Sequence, residues 1–250
     1  MITLKSAHEI ELMRTAGKIT AAARALAGEM VKPGVTTKEI DTAVEHFIRK
    51  EGAVPSFKGL YGFPASACIS VNDEIIHGIP GDRVLQEGDI VSVDVGAFIG
   101  GFHGDCAATF ACGKISPEAQ DLIDVTRQSF FEGFAKAREG NRLYDISAAV
   151  QSYVESHGYS VVREFVGHGI GTKLHESPEV PNFGHPGRGP RLLRGMTIAV
   201  EPMVNAGSAA IRQMSDGWTV KTRDGRYAAH YENTLLITAG EPEILTAPAI

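Results

Sequence analysis

Apolar residues recur at i, i+3, i+4 and i+7 in four stretches of the chain. The spacing predicts helices over 6–30, 37–51, 117–139 and 143–157. Ser6 and Glu9 fit a capping box at the start of the first. Apolar runs predict strands over 66–72, 88–96, 102–112, 160–166, 196–204 and 229–238. The Pro- and Gly-rich stretch 177–191 predicts a loop, and no segment is of low complexity.

Two parts of this pattern repeat. At a constant offset of 106, Gly34 matches Gly140, Ile40 matches Ile146, Ala43 matches Ala149 and Val44 matches Val150. Phe47, Ile48 and Gly52 match Tyr153, Val154 and Gly158 in the same way. "EGDIVSVD" then parallels "RGMTIAVE" at an offset of 107, which sets Asp94 on Glu201. Seven ungapped matches followed by an acidic one outweigh chance similarity between two amphipathic helices. With only two copies the chain is no solenoid. It reads as a single domain over 1–250 whose halves, roughly 31–112 and 137–238, are related by pseudo-twofold symmetry.

The strands 88–96 and 102–112 form a hairpin, yet each carries an aspartate in its apolar run. A two-residue turn at Ile99-Gly100 places Asp94 directly opposite Asp105 on one face. Like charges about 4 Å apart at an effective dielectric near 20 repel by roughly 4 kcal/mol. A shared proton, an arginine or a cation has to compensate. The basic residues nearest in sequence, Arg83 and Lys114, lie outside the strands.

Composition narrows the class. The 250 residues are 43% hydrophobic and 22% charged, as in an ordinary globular protein. A net charge of −6 argues against non-specific binding of nucleic acid or anionic membranes. There is no run of 18 apolar residues and no apolar signal core, so neither a membrane span nor a leader is expected. Cys68, Cys106 and Cys112 include no CxxC pair, which points to a reducing, cytoplasmic compartment and no structural zinc.

If the two halves face each other, their acidic strand positions converge. The first half supplies Asp94 and Asp105, the second Glu201 in "TIAVEPMV" and Glu232 in "YAAHYENTLLIT". Four carboxylates carry four negative charges, which two divalent cations balance. Oxygen ligands with one or two imidazoles suit Mn, Fe, Co or Zn. His77 in "HGIP" and His168 in "GHGIG" stand beside glycines, where a backbone or ligand approaches closely, and His175 follows seven residues later. Imidazoles there would ligate a metal or shuttle protons. The other histidines read more simply. His103 is a supporting or solvated residue, His230 a structural one, and His8, His46, His157 and His185 are surface.

Together, "CISVNDEIIHGIP", "VDVGAFIGGFHGD", "GHGIGTKLHE", "TIAVEPMVNAG", "DGWTVKTRDG" and "YENTLLIT" resemble the type I methionine aminopeptidases of bacterial kind, over nearly the whole chain. The resemblance implies the α/β pita-bread fold, two pseudo-symmetric halves around a central antiparallel sheet. It implies five metal ligands, Asp94, Asp105, His168, Glu201 and Glu232, holding two divalent ions. Asp105 and Glu232 would bridge them, with Asp94 on one ion and His168 and Glu201 on the other. His77 would contact the substrate near its amine or scissile amide. His175 would hydrogen-bond the scissile carbonyl, and Glu201 would act as general base. Phe63, Cys68 and Trp218 would form the pocket for a methionine side chain. The implied activity is removal of initiator methionine from nascent polypeptides, with a preference for a small second residue. The implied protein is a cytoplasmic monomer, with ribosome association left open and no membrane or nucleic-acid partner.

Three positions depart from the better-known bacterial pattern. Leu60 and Leu174 stand where aromatic residues often occur, and Tyr61 stands where a histidine often does. That bears on the shape of the pocket more than on the reaction. At 250 residues the chain leaves no room for the extra N-terminal domain usual in related prolidases. His175 and Glu201 are only 26 apart, too close for the helical insertion of the second type. Two competing readings are a non-catalytic protein reusing the fold and an X-Pro peptidase. The first expects lost ligands or basic tails, and the sequence has neither.

Overall fold

Capping chemistry sets where the helices begin. The computed structural model describes residues 1–247. Helix α1 (Ala7–Met30) opens on the reciprocal box, in which Glu9 Oε2 accepts from the Ser6 N–H at 2.7 Å and Ser6 Oγ accepts from the Glu9 N–H. Helix α2 (Thr37–Lys50) opens on the same device at Thr36 and Glu39. The strands β1 (Val54–Pro55), β2 (Ala67–Val71), β3 (Glu74–Ile76), β4 (Ile90–Ile99) and β5 (Phe102–Ala111) follow. Next come α3 (Pro117–Phe134) and α4 (Leu143–Ser156). The rest of the chain is strands: β6 (Ser160–Val161), β7 (Gly167–Gly169), β8 (Glu176–Val180), β9 (Thr197–Val200) and β10 (Met203–Asn205). They end with β11 (Ile211–Gln213), β12 (Val220–Thr222), β13 (Ala228–His230), β14 (Glu232–Leu236) and β15 (Glu243–Ile244).

The main sheet runs β1-β4-β5-β14-β9-β7-β8, with β2 added to β4 and β15 to β14, all antiparallel. Two three-stranded sheets, β13-β10-β6 and β11-β12-β3, complete the architecture. Side-chain alternation gives the main sheet two different faces. In β4, Val91, Val93, Val95 and Ala97 pack with Ala23, Ala27, Ile40, Val44 and Ile48 of α1 and α2. In the other half, Ile198, Val200 and Leu235 pack with Phe130, Leu143 and Ile146 of α3 and α4. The opposite face is left to Asp94, Asp105 and their neighbours.

The halves carry matching local structure. Helices α2 and α4 each span 14 residues. The glycines before them, Gly34 and Gly140, have φ of +92° and +90°, and those after them, Gly52 and Gly158, +75° and +81°. Gly34 N–H donates to Leu85 O at 2.8 Å, and Gly140 N–H to Leu192 O at 3.0 Å.

The hairpin register differs from the expectation. The turn is Gly100-Gly101, with φ of +61° and +87°, the pair of left-handed conformations that a two-residue hairpin favours. Ile99 therefore faces Phe102, Asp105 faces Gly96 and Asp94 faces Ala107. The two aspartates share a face as diagonal neighbours and are not directly opposed.

The strands predicted over 196–204 and 229–238 are each broken in two. The first breaks at Glu201-Pro202, where proline has no N–H to donate. The second breaks at Tyr231, whose N–H donates to Pro202 O at 3.1 Å. The tied breaks let both segments pass from the small sheet to the main one, and they leave Glu201 and Glu232 at the crossing. Of 160–166 only β6 is strand, and β8 runs into the first residues of the expected loop. Helix α3 stops short of residue 139, because the chain turns through a Lys136 N–H bond to Gly133 O.

Candidate metal centre

Ala107 sits at the middle of the site. Asp94 of β4 lies opposite it on one side and Glu232 of β14 on the other, so its small side chain leaves room between two carboxylates. Asp105 is two residues away on the same face. Glu201 enters from the break after β9, and His168 from the centre of β7, opposite Ala199. Asp105 and Glu232 are buried, whereas Asp94 and Glu201 keep a little exposure toward a cleft.

His168 is fixed from both sides. A Cβ on Gly167 would stand 2.3 Å from Ala199 O, and one on Gly169 2.2 Å from Ser177 O. Only glycines let this strand lie between β8 and β9. The His168 Nδ1 lies 2.9 Å from Gly169 O, a carbonyl that can only accept, so Nδ1 carries the proton. The lone pair on Nε2 then faces Asp105 Oδ2 and Glu201 Oε1, each at 3.6 Å. A second buried imidazole, His230, has its Nε2 3.7 Å from Glu232 Oε2 and 4.0 Å from Glu201 Oε2.

The electrostatics of the cluster are uncompensated. Burial pushes all four carboxyls up: Asp105 to about 8, and Asp94, Glu201 and Glu232 well above the carboxylate range. Their mutual repulsion adds to the shift of the last three. Burial pushes the imidazoles the other way, His168 downward and His230 to about 3. Asp94 Oδ1, Asp105 Oδ1 and Glu232 Oε1 are buried with no hydrogen-bond partner among the described residues. Buried polar atoms are normally satisfied. Among the described residues the only ion-pair partners of the four acids are His168 and His230, both held neutral by burial, and His168 turns a lone pair toward them. Oxygen and imidazole donors left this way fit divalent cations. Two groups of ligand atoms, Asp94-His230-Glu232 and Asp105-His168-Glu232, each lie within 4.8 Å of one another and share Glu232.

The acids open onto a cavity of about 550 Å³. Phe63, Cys68, Leu60, Leu174 and Trp218 give it an apolar end. Phe63 meets Trp218 edge to face at 5.1 Å. Cys68 pairs with Asp94 in register, which joins that end to the carboxylates. His77 is held at φ +59°, an unusual conformation for a side-chain-bearing residue, between Phe165 at 5.6 Å and Trp218 at 6.5 Å. His175 stands edge-on to His168 at 4.5 Å and stacks with Tyr61 at 6.0 Å. Burial and a neighbouring imidazole push His77 and His175 each down to about 4, so both are neutral near pH 7.

The structure thus gathers His77, His168, His175, the four acids, Phe63, Cys68 and Trp218 around one cavity. His103 lies off it, with Nδ1 2.9 Å from Ser56 Oγ, and His8, His46, His157 and His185 are exposed. Sequence reasoning missed Phe57, Ile76 and Phe165 in the lining, and Arg24 bonded to the backbone beneath the acids. Arg24 Nη1 donates to Ala107 O, Glu232 O and Asn233 Oδ1 at 3.0–3.2 Å, which ties β5 to β14. Its signal is a lone arginine in the buried stripe of α1, among Met13, Gly17, Thr20 and Ala27. No helix among the described residues is long and apolar enough to cross a membrane.

Known proteins are similar to this chain in sequence and in fold. The chain matches the model of metallopeptidase family M24 over residues 11–239. It is 60% identical to a methionine aminopeptidase of Clostridium perfringens over 246 residues, covering 98% of this chain and 99% of that one. The crystal structure of a methionine aminopeptidase from Thermotoga maritima superposes with a TM-score of 0.97 at 44% identity, covering 98% of this chain and 99% of that one. A prolidase from Pyrococcus furiosus, at 21% identity and a TM-score of 0.80, shares the pita-bread fold; the match covers 99% of this chain and 66% of the prolidase. The chain belongs to metallopeptidase family M24, among its methionine aminopeptidases of the bacterial type I kind.

Proposed function

We propose that this protein removes the initiator methionine from nascent polypeptides, using two divalent ions held by Asp94, Asp105, His168, Glu201 and Glu232. The observation that carries the reading is the join between the apolar end of the cavity and a cluster of orphaned carboxylate oxygens. An unbranched thioether side chain packs well against Phe63, Trp218 and Cys68. In this reading Asp105 and Glu232 would serve both ions, with Asp94 holding one and His168 and Glu201 the other, and the whole chain acts as one catalytic domain built from two related halves. When bound, the metal pair acidifies a water and polarises the scissile carbonyl.

The side chains supply the rest. The Glu201 carboxylate takes the proton from the attacking water and passes it toward the leaving amine. Neutral His175 donates an N–H to the scissile carbonyl oxygen as negative charge develops there. His77, fixed between Phe165 and Trp218, contacts the substrate beside its amine and crowds the next residue, which favours a small one. The negative net charge and three buried free thiols fit a cytoplasmic monomer acting on chains as they leave the ribosome.

The test is turnover by chelator-stripped protein given Met-Ala-Ser and Ala-Pro-Ser peptides, with Mn, Fe, Co or Zn added in turn. Metal-dependent release of free methionine, with the X-Pro peptide slow, is expected. Faster cleavage of Ala-Pro-Ser would move the protein to the X-Pro class. Peptide binding without turnover under every metal would make it a binding protein.

A further inference from the structure

We propose that His230 is a sixth metal-ligating residue, holding the ion on the Asp94 side of the centre as His168 holds the other. The inference rests on the dimetal reading above and assigns a ligand that reading lacks.

His230 is 1% exposed, and neither ring nitrogen has a hydrogen-bond partner among the described residues. A buried imidazole kept for packing or orientation would bond one nitrogen to a carbonyl or carboxylate, as His168 does with Gly169. The carboxylate oxygens nearest to His230 Nε2 lie at 3.7 and 4.0 Å, beyond hydrogen-bond range. The Glu232 oxygen, at 3.7 Å, is within reach of a cation shared with His230. Two atoms bound to one ion at about 2.1 Å each are at most about 4.2 Å apart. The corresponding His168 distances, 3.6 Å to both of its carboxylates, fall in the same window.

The backbone delivers this geometry. His230 ends β13 and Glu232 begins β14, and the break at Tyr231 turns both side chains toward the crossing of the two sheets. His230 joins Asp94 and Glu232 in one group of potential ligands, and His168 joins Asp105 and Glu232 in the other. The centre then has one imidazole on each side of Glu232. A second nitrogen ligand shifts preference from Mn toward Co, Zn or Fe.

The test loads the full chain with two equivalents of Co(II) and compares wild type with His230→Gln and His230→Asn. X-ray absorption on wild type should count about one imidazole per cobalt, and about one half in either variant. In calorimetric titration one of the two binding constants should weaken roughly tenfold or more, with the other little changed. If the variants bind two cobalts with unchanged constants and imidazole number, His230 is no ligand, and the dimetal reading stands without it. If wild type takes up no second ion, the dimetal reading fails and this inference with it. If neither variant folds, the wild-type count decides: one imidazole per cobalt supports the assignment, and one half overturns it.

Discussion

Glu201 Oε1 lies 3.6 Å from His168 Nε2, lone pair against lone pair. The proton of His168 is on Nδ1, committed to Gly169 O. Nothing in the protein relieves this contact except a proton on Glu201 or a cation between the two. Burial, followed by Asp105 and Asp94, holds the Glu201 carboxyl well above its ordinary range, so without metal the proton stays.

Chelator-stripped protein should therefore lose stability as pH rises. The folded state keeps protons on Asp94, Asp105, Glu201 and Glu232 where the unfolded chain has released them, so these groups favour folding at low pH. That contribution declines from the carboxylate range near pH 4 up to about 8, where Asp105 titrates. His77 and His175, pushed down to about 4, act in the opposite sense, but their contribution is complete by about pH 6.5. Between pH 6.5 and 8 the carboxyl slope remains, about 1.4 kcal/mol per pH unit for each proton. Tm measured across that window should fall with EDTA and hold with cobalt. A level EDTA profile would refute the account.

Asp105→Asn keeps the shape of the side chain and removes one charge. Outer partners of metal ligands typically cost 10–100-fold, so a bridging ligand should cost at least about 100-fold in kcat/KM. Metal content should drop below two per chain. The metal-free variant should nevertheless be more stable than wild type at pH 8, because one buried acid is gone. Loss of activity together with lower apo stability would mean that Asp105 is structural.

Much of this was legible in the sequence because an acid in an apolar run is an anomaly that alternation exposes. Asp94, Asp105, Glu201 and Glu232 stood out in that way, and the four helices stood out by period and caps. The hairpin register was not legible, because turns centred on Ile99-Gly100 and on Gly100-Gly101 both contain a glycine. Placing φ > 0 on two glycines decided it. The breaks at Glu201-Pro202 and Tyr231 were hidden inside continuous apolar runs, since the cause is a change of sheet partner. Strands as short as β3, β11 and β12 form only because a neighbour pairs with them. The unpartnered ring nitrogens of buried His230 were not legible either, because a missing partner exists only in three dimensions.

Gly169→Ala tests how His168 is held. The added Cβ would stand 2.2 Å from Ser177 O, which is backbone and cannot step aside. Overpacking of this kind costs about 1–3 kcal/mol. Urea denaturation should show that loss, and metal affinity should fall with it, since the Gly169 carbonyl orients the imidazole. Unchanged metal affinity would show that His168 tolerates a shifted strand.

Tyr61→Ala separates the rim from the scaffold. Tyr61 is 76% exposed yet stacks on His175. An aromatic pair is worth about 0.5–1.5 kcal/mol. If that stack orients His175 toward the substrate, kcat/KM for a Met-Ala-Ser peptide should fall roughly 2- to 10-fold with Tm unchanged, and Tyr61→Phe should restore it. A drop in Tm would place Tyr61 in the fold.

Arg24→Met keeps an unbranched apolar stem and removes the donors beneath the acids. Ala107 O, Glu232 O and Asn233 Oδ1 then lose their shared partner in a buried site. Hydrogen bonds to charged groups are worth about 1.5–3 kcal/mol each, so with incomplete additivity the loss should reach at least about 3 kcal/mol. Because Arg24 grips the Glu232 backbone and the residue between Asp94 and Glu232, metal affinity should fall as well. Urea denaturation of metal-free protein reads the first effect, and cobalt titration of the folded variant reads the second. A stability loss under about 1 kcal/mol would mean that water replaces the guanidinium and that β5 and β14 keep their alignment through their own ladder.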